Sequence, residues 1–185
     1  MSRHATPLRL FVAARPPLHV AERLLQEVRA LDLPPHRLTP PEQVHLTLLF
    51  IGPADPREVE EIRESVRRAA AGVSAARSCA TTLMTLPRRG PRLVAAAIEP
   101  HPSLLEIHAR LVRRLARRPR QRAEDRFLPH LTLCRFRTGE HARRIEQPID
   151  GEPFDLGAIE LTRSVLRPQG ARHDVIERVD LDAAT

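Results

Sequence analysis

The sequence predicts an α+β fold built from antiparallel sheets. Segments with the alternation or short apolar runs of β-strands outnumber the helical segments along the 185 residues. Two pairs of strands flank turn sequences at 87–91 and 167–170, and such hairpins are typical of antiparallel sheets. One tetrapeptide occurs twice, which predicts two lobes that each supply one strand.

The first third of the chain alternates strands and helices. In order, the pattern predicts a strand at 8–13, a helix at 18–31, a proline-rich connection at 33–41 and a strand at 44–51. Gly52 and Pro53 then predict the end of that strand. A second helix is predicted to start at Asp55, because Asp55 can cap it, Pro56 suits its first position and Glu58 can reach back to the cap.

The rest of the chain is richer in strands. It predicts a hairpin of strands at 76–86 and 92–98, a helix at 102–118, a strand at 131–136 and a second hairpin of strands at 154–166 and 172–179. No linker or low-complexity segment interrupts this order. We therefore expect residues 1–185 to form a single two-lobed domain.

The basic charge allows two interpretations. A net charge of +7 attracts phosphate-bearing partners. However, all 30 basic residues are arginine, so the charge can equally reflect genomic base composition. The absence of lysine excludes a ligase that forms a lysine adenylate, Schiff-base chemistry and a standard Walker A loop.

The remaining composition narrows the location and the chemistry. No apolar run approaches the length of a membrane span, and Met1 to Pro7 lack the layout of a signal peptide, so we expect a cytoplasmic protein with no membrane contact. Cys79 and Cys134 are too few for a disulfide scaffold, and neither lies at a zinc-ligand spacing. We expect no metal, no cofactor and no obligate protein partner.

The repeated tetrapeptide is the most informative feature. His45-Leu46-Thr47-Leu48 and His130-Leu131-Thr132-Leu133 are identical and 85 residues apart, and each follows a helix and a connection. In a strand the histidine and threonine share one face, roughly 7 Å apart, while the leucines face the core. Packing the two lobes face to face would bring two histidines and two threonines into one cleft.

Such a cleft suits phosphoryl chemistry without a metal. In-line displacement at phosphorus needs a base beside the attacking oxygen and an acid beside the leaving oxygen. Imidazole titrates near neutrality, so one histidine can start neutral and the other protonated. The threonine hydroxyls can donate to non-bridging oxygens, where negative charge lies in the transition state.

The sequence also resembles a known family, the two-histidine phosphoesterases with paired H-x-T-x motifs. More narrowly, it is similar to the bacterial RNA 2′,3′-cyclic phosphodiesterases, which are LigT-like and are also described as 2′-5′ RNA ligases. The resemblance runs from Arg9 to about Leu181, through the segments 9–13, 44–52, 127–133 and 166–175. It implies a pseudo-two-fold arrangement of antiparallel sheets with helices packed outside and a central cleft.

The resemblance also implies roles for individual residues. His45 would be the proton donor to the leaving 3′-oxygen and His130 the proton acceptor that activates water, leaving a 2′-phosphate. Thr47 and Thr132 would bind substrate, and so would Arg135, which matches an arginine that often follows the second motif. Strand alternation places Arg135 on the opposite face from His130, unless the strand ends or bulges there.

Other histidines carry less information. His173 stands where the family often has an aromatic residue, so it either touches the base, with weaker stacking, or lies on a surface hairpin. The others have no partner motif and are expected to be structural or exposed: His4, His19, His36, His101, His108 and His141.

The leading functional prediction is an enzyme that hydrolyses RNA 2′,3′-cyclic phosphate ends, with 2′-5′ ligation as the reverse reaction. Its partner would be an RNA or oligonucleotide with a 2′,3′-cyclic phosphate. One alternative is a phosphodiesterase of small cyclic nucleotides or sugar phosphates. The other is a module that binds RNA ends without cleaving them.

Overall fold

A computed structural model describes residues 6–116, 127–140, 142–166 and 170–183. The helices of this part of the chain are α1 (Leu18–Arg29), α2 (Val59–Ala70) and α3 (Pro102–Leu115). Its strands are β1 (Leu8–Ala14), β2 (His36–Leu38), β3 (Leu46–Ala54), β4 (Ala76–Ser78), β5 (Ala80–Leu86), β6 (Leu93–Ile98), β7 (His130–Phe136), β8 (Glu146–Pro148), β9 (Phe154–Leu156), β10 (Ala158–Val165) and β11 (Arg172–Asp180).

One antiparallel sheet of nine strands organises the molecule. Its order is β11-β10-β1-β3-β7-β6-β5-β8, and β2 pairs with β7 outside this path. The four strands from β11 to β3 form the first lobe, and the four from β7 to β8 form the second. The predicted α+β class with antiparallel sheets and two lobes is confirmed. The lobes are joined edge to edge through β3 and β7 as halves of one sheet.

The two lobes repeat the same unit. In the first lobe β1 is followed by α1 and then, after β2, by β3, which pairs with β1; in the second lobe β6 is followed by α3 and then by β7, which pairs with β6. Each of these helices packs against the motif strand of the other lobe, α1 against β7 and α3 against β3. This exchange makes the arrangement pseudo-two-fold about the junction of the lobes.

The core lies between the helices and one face of the sheet. Each helix buries an apolar stripe, as its 3.6-residue pattern predicts. The buried residues of these stripes include Val20, Leu24, Val28, Ile62, Val66, Leu104, Ile107 and Leu111. Both leucines of each tetrapeptide are also buried, with no more than 1% of their surface exposed. The opposite face of β3 and β7 is therefore the one that carries the histidines and threonines.

The start of α2 follows the sequence prediction. The Asp55 carboxylate accepts a hydrogen bond from the backbone N–H of Arg57 at 2.8 Å, and Glu58 accepts one from the backbone N–H of Asp55 at 2.7 Å. A 3₁₀ turn at Pro56–Glu58 leads into the helix. Within the described residues, no helix combines the length and apolarity needed to cross a membrane.

The predicted end of the first motif strand is wrong. β3 continues through Gly52 and Pro53 to Ala54, along β1. Gly52 has a φ of +86°, which a glycine adopts without strain, and it allows the chain to pass an irregular point of the ladder. Proline lacks an N–H and cannot donate to a neighbouring strand. Pro53 is tolerated because β3 has a paired neighbour, β1, along only one of its two edges at this point.

Other boundaries differ because pairing partners decide them. The predicted strand at 76–86 divides at Cys79 into β4 and β5, and the one at 154–166 divides at Gly157 into β9 and β10, since β4 and β9 form a separate two-stranded sheet. The proline-rich connection contains β2, and β8 lacks an apolar pattern. The predicted hairpin turn at 167–169, the end of the third predicted helix at 117–118, His4 and His141 lie outside the described residues.

Candidate active site

The two tetrapeptides meet at the junction between the lobes. Leu46 of β3 pairs with Leu131 of β7 in antiparallel register. That register carries His45 towards Thr132 and Thr47 towards His130, all on the face opposite the helices. Beyond Leu131, β2 takes the place of β3 along β7, pairing with Cys134 to Phe136. β3 and β7 are therefore paired only at this point, and the two strands diverge beyond the four polar side chains.

Each motif strand contains a β-bulge at the same position. Leu48 is the extra residue in the pairing of β3 with β1, and Leu133 is the extra residue in the pairing of β7 with β6. Two consecutive residues are buried at each bulge, Leu48 with Leu49 and Leu133 with Cys134. A bulge shifts the alternation by one residue, so the residues that follow return to the face of the histidines.

The residues returned to this face are Phe50 and Arg135. They occupy equivalent positions, five residues after His45 and His130, and both are exposed. Regular alternation predicts Arg135 on the face opposite His130, and the bulge places it instead on the face of His130 and Thr132. Regular alternation does not predict Phe50 on this face; the apolar doublet Leu48-Leu49 is the signal in the sequence for a bulge in an otherwise alternating strand.

Both motif histidines are held in the same way. The ring Nδ1 of His45 lies 2.7 Å from the Gln43 carbonyl oxygen, and that of His130 lies 2.8 Å from the Leu128 carbonyl oxygen. A carbonyl only accepts, so each Nδ1 carries the hydrogen and each Nε2 of the neutral ring is the free acceptor. Each imidazole is therefore oriented to exchange a proton through Nε2.

An aromatic cluster surrounds His45. The rings of Phe11 and His173 each have centroids 5.0 Å from that of His45, and the centroids of Phe11 and Phe50 are 5.7 Å apart. Burial lowers the pKa of His45 to about 4, against the raising effect of its bond to Gln43, and His173, Arg15 and His130 lower it further. His45 is consequently neutral at neutral pH in the free protein.

His173 belongs to the same cluster. It lies across β10 and β11 from Ser164, and its ring meets both Phe11 and His45 edge to face. Its pKa is lowered by burial and by the charges of Arg15 and Arg135, against a raising effect of Asp174. Among residues in the described ranges, its Nδ1 is buried with no hydrogen-bond partner. His173 is thus an inner residue of the site.

Arg15 supplies a fixed positive charge beside the two rings. Its guanidinium donates to the Glu160 carboxylate and to the Glu42 carbonyl oxygen. Glu160 is 7% exposed and lies on β10, directly across from Ala13 of β1. This anchoring holds the charge in place, and it contributes to the low pKa of both His45 and His173.

The hydroxyls of the motif threonines are available to a ligand. Thr47 and Thr132 are partly exposed. Within the part of the chain that the structure covers, neither hydroxyl forms a hydrogen bond. The same residues contain no group of three or more His, Cys, Asp and Glu side chains placed to hold a metal ion. The array therefore offers two imidazoles and two hydroxyl donors to one anion.

The other described histidines have local partners. His19 lies 3.1 Å from Glu152 on the surface, and His36 lies 2.9 Å from the Pro34 carbonyl oxygen. His101 accepts from the Ser103 N–H at the start of α3. His108 is buried, lies 2.6 Å from the Leu48 carbonyl oxygen and stacks on Phe127. These contacts agree with the prediction that they are structural or exposed.

The fold and the paired motifs define a class of two-lobed phosphoesterases in which each lobe supplies one strand with a histidine motif. A sequence profile described as the 2′-5′ RNA ligase superfamily matches residues 16–165. The chain belongs to this superfamily, which confirms the resemblance of the motifs and assigns a phosphoesterase-type activity. No curated protein sequence matches the chain.

Solved structures show the same fold over nearly the whole chain. TT0787 of Thermus thermophilus is 27% identical, with a TM-score of 0.80 over 96% of this chain and 100% of that one. Apo LigT of E. coli is 21% identical, with a TM-score of 0.75 over 96% of this chain and 99% of that one. E. coli LigT with 3′-AMP is 23% identical, with the same TM-score over 95% of this chain and 99% of that one.

Proposed function

We propose that the protein hydrolyses 2′,3′-cyclic phosphates at RNA ends to 2′-phosphomonoesters, with 2′-5′ ligation as the reverse reaction. The observation that carries this proposal is the matched pair of imidazoles. Each is anchored through Nδ1 on a rigid strand, and the two strands come from opposite lobes. In-line displacement needs a proton acceptor and a proton donor on opposite sides of phosphorus, and this pair meets that demand.

The reaction assigns one step to each histidine. His130 accepts a proton from water as the water oxygen forms a bond to phosphorus. The bond from phosphorus to the 3′-oxygen breaks, and His45 gives its proton to that oxygen, so the phosphate stays on the 2′-oxygen. Thr47 and Thr132 donate to the non-bridging oxygens. Neither step requires a metal or a cofactor.

The electrostatics of His45 add a condition to the donor role. A proton donor must be protonated when the reaction starts, yet the pKa of His45 is about 4 in the free protein. A phosphodiester bound beside it carries a negative charge, which favours the imidazolium form. Substrate binding therefore charges His45, and the low intrinsic pKa makes the charged ring a strong acid.

Recognition beyond the phosphate falls to the two residues that follow the bulges. Phe50 is 67% exposed on the first-lobe side, which suits stacking against the terminal base. Arg135 is exposed on the second-lobe side, where a guanidinium suits phosphate. A base on one side and phosphate on the other favour an RNA end over a sugar phosphate, which has no base to stack.

The direct test is turnover of an oligoribonucleotide that ends in a 2′,3′-cyclic phosphate, with and without EDTA. We expect a 2′-phosphate product, identified by phosphorus NMR, at a rate that EDTA leaves unchanged. A 3′-phosphate product would contradict the assignment of the acid, and loss of activity that zinc or magnesium restores would contradict the metal-free mechanism. Bound substrate that is never converted would favour the RNA-end-binding module.

The pH dependence of kcat/KM tests the roles of the two histidines, because it reports the ionisation of the free enzyme. The reacting form has His45 protonated and His130 neutral at the same time, so kcat/KM should follow a bell-shaped profile whose limbs belong to the pair. Because the pKa of His45 is about 4 in the free protein, one limb of kcat/KM should lie near pH 4. In kcat this limb should lie at higher pH, since bound phosphate raises the pKa of His45. A limb near pH 4 that persists in His45→Ala would contradict its assignment to His45.

Three further expectations stay predictions. They are the cytoplasmic location, the organisation of residues 1–185 as one domain and the independence from a protein partner. Sedimentation of the purified protein, alone and with a cyclic-phosphate oligonucleotide, would test the last of these.

A further inference from the structure

Two arginines lie directly opposite each other beside the site. Arg37 of β2 pairs with Arg135 of β7 in antiparallel register. Opposed residues of an antiparallel pair share one face, with Cβ atoms about 5 Å apart. Both side chains are exposed. Because the bulge at Leu133 places Arg135 on the face of Thr132, the pair of arginines lies on the site face.

Nothing in the described structure neutralises this pair. Across residues 6–116, 127–140, 142–166 and 170–183, no carboxylate lies within ion-pair distance of either guanidinium. Like charges that face each other across two strands are destabilising. All three arginines of α2, by contrast, are paired with glutamates, Arg63 and Arg67 with Glu177 and Arg68 with Glu64. An unpaired, opposed pair is the arrangement that an anionic ligand would stabilise.

Arg37 also contacts the segment of the first lobe that precedes β11. A Cβ added to Gly170 would lie 2.3 Å from Nη1 of Arg37, so the guanidinium packs directly on the backbone that leads into β11. Arg37 therefore reaches from the second lobe to the first, and packing holds its side chain in place. The positive charge of Arg135 acts on His173, whose ring is 5.0 Å from that of His45.

We propose that Arg37 and Arg135 bind the phosphodiester that precedes the reacting phosphate in an RNA strand. Arg135 is separated from Thr132 by about one strand repeat, roughly 7 Å, because the bulge removes one residue from the count. That distance is comparable to the separation of neighbouring phosphates in an extended strand. Two guanidiniums can each donate a pair of hydrogen bonds to such a phosphate.

This subsite deepens the proposed function and rests on it, since it assumes that the reacting phosphate lies between His45 and His130. Its consequence is a substrate preference. A nucleoside 2′,3′-cyclic phosphate has no preceding phosphodiester, so it gains nothing from Arg37. An oligonucleotide with the same end does, and the enzyme should prefer it.

The test compares Arg37→Gln with Arg37→Lys and with the matched control Arg77→Gln. Arg77 is exposed on β4, in the separate two-stranded sheet, and its removal changes the net charge equally. Each variant is assayed on a nucleoside 2′,3′-cyclic phosphate and on an oligonucleotide ending in one. Binding of the corresponding 2′-phosphate products is measured in parallel over a range of salt concentrations.

We expect Arg37→Gln to lower kcat/KM on the oligonucleotide about tenfold, the effect of one lost charge-assisted hydrogen-bonding partner, and to leave the mononucleotide unchanged. The salt dependence of oligonucleotide binding should flatten by about 0.7 in its logarithmic slope. Arg37→Lys should recover part of the loss, and Arg77→Gln should resemble the wild type.

Equal losses on both substrates, or losses matched by Arg77→Gln, would overturn the subsite. A wild type that converts neither substrate would instead refute the proposed function. In that case the binding measurements still decide the subsite, because the advantage of the product oligonucleotide over the mononucleotide should shrink in Arg37→Gln and stay unchanged in Arg77→Gln.

Discussion

The two motif strands start from the same four residues and end in different chemistry. After His45-Leu46-Thr47-Leu48 the chain places Phe50 on the site face, and after His130-Leu131-Thr132-Leu133 it places Arg135 there. The repeated residues supply reactive groups that the two lobes share. The residues after the bulges supply an apolar surface on one side and a cation on the other. Duplication thus explains the matched pair of imidazoles and hydroxyls, and divergence after the bulge explains why the two sides of the candidate site differ.

The bulges themselves are held differently. The Leu48 carbonyl oxygen lies 2.6 Å from Nδ1 of His108, a side chain of α3. The equivalent Leu133 carbonyl oxygen accepts from the backbone N–H of Thr39 at 2.8 Å. Both contacts satisfy a buried backbone carbonyl at a bulge. The first lobe depends on a particular side chain for this, and the second depends only on the path of the chain.

The largest effect should come from substitution of the two histidines, which the repeated motif makes equivalent. His45→Ala and His130→Ala should each lower turnover roughly 10²- to 10⁴-fold, and the double variant should be little worse than either. Steady-state kinetics with a cyclic-phosphate oligonucleotide measures this. His19→Gln is the control, since His19 is exposed and bound to Glu152. Near-full activity in either single variant would contradict both the equivalence of the two histidines and the two-histidine mechanism.

The threonines should come next, with equal losses in the two lobes. Thr47→Val and Thr132→Val keep the side-chain shape and remove one donor to the transition state. Turnover should slow roughly 10²-fold in each, mainly through kcat. A loss confined to one of the two would mean that only one lobe contacts the non-bridging oxygens.

Substitutions of Phe50 and Arg135 should have different effects on substrate binding, because the two residues lie on different sides of the site. Phe50→Ala should raise KM roughly tenfold or more for a nucleoside cyclic phosphate, through lost stacking, and leave a ribose 2′,3′-cyclic phosphate without a base unaffected. Arg135→Gln should flatten the salt dependence of oligonucleotide binding by about 0.7 and spare base selectivity. If Arg135→Gln changed the dependence of KM on the base as much as Phe50→Ala does, the proposed division of base and phosphate binding between the lobes would be wrong.

The smallest effect on activity should come from the contact that holds the first bulge. His108→Leu leaves the buried Leu48 carbonyl without its side-chain donor, and we expect unfolding to become easier by about 1–3 kcal/mol in denaturant titrations. Thr39→Ala keeps the backbone N–H and should change stability by less than about 0.5 kcal/mol. Turnover by folded His108→Leu should change only a few-fold, with the change mainly in KM because the bulge positions Phe50. Equal stability of the two variants would mean that the His108 contact contributes little.

Local patterns were sufficient for much of the fold. The helices and most strands follow from apolar periodicity, and the capping of α2 from Asp55, Pro56 and Glu58. Three errors share a cause. The division of the strand at 76–86, the extension of β3 through Pro53 and the presence of β2 all depend on which strand lies alongside. A pattern within one segment contains no information about its neighbour.

The sequence alone determined which side chains share a face of each motif strand, because an identical alternating tetrapeptide puts the histidine and the threonine on one face and the leucines on the other. Tertiary structure decided everything that depends on distance across the chain. It brought His173 and Arg15 beside His45 and lowered the pKa of that histidine, turned Phe50 and Arg135 onto the site face through the bulges, and set Arg37 opposite Arg135. The physical reason is that burial, register and the electrostatic field depend on which segments pack together, whereas alternation depends on the backbone of one strand.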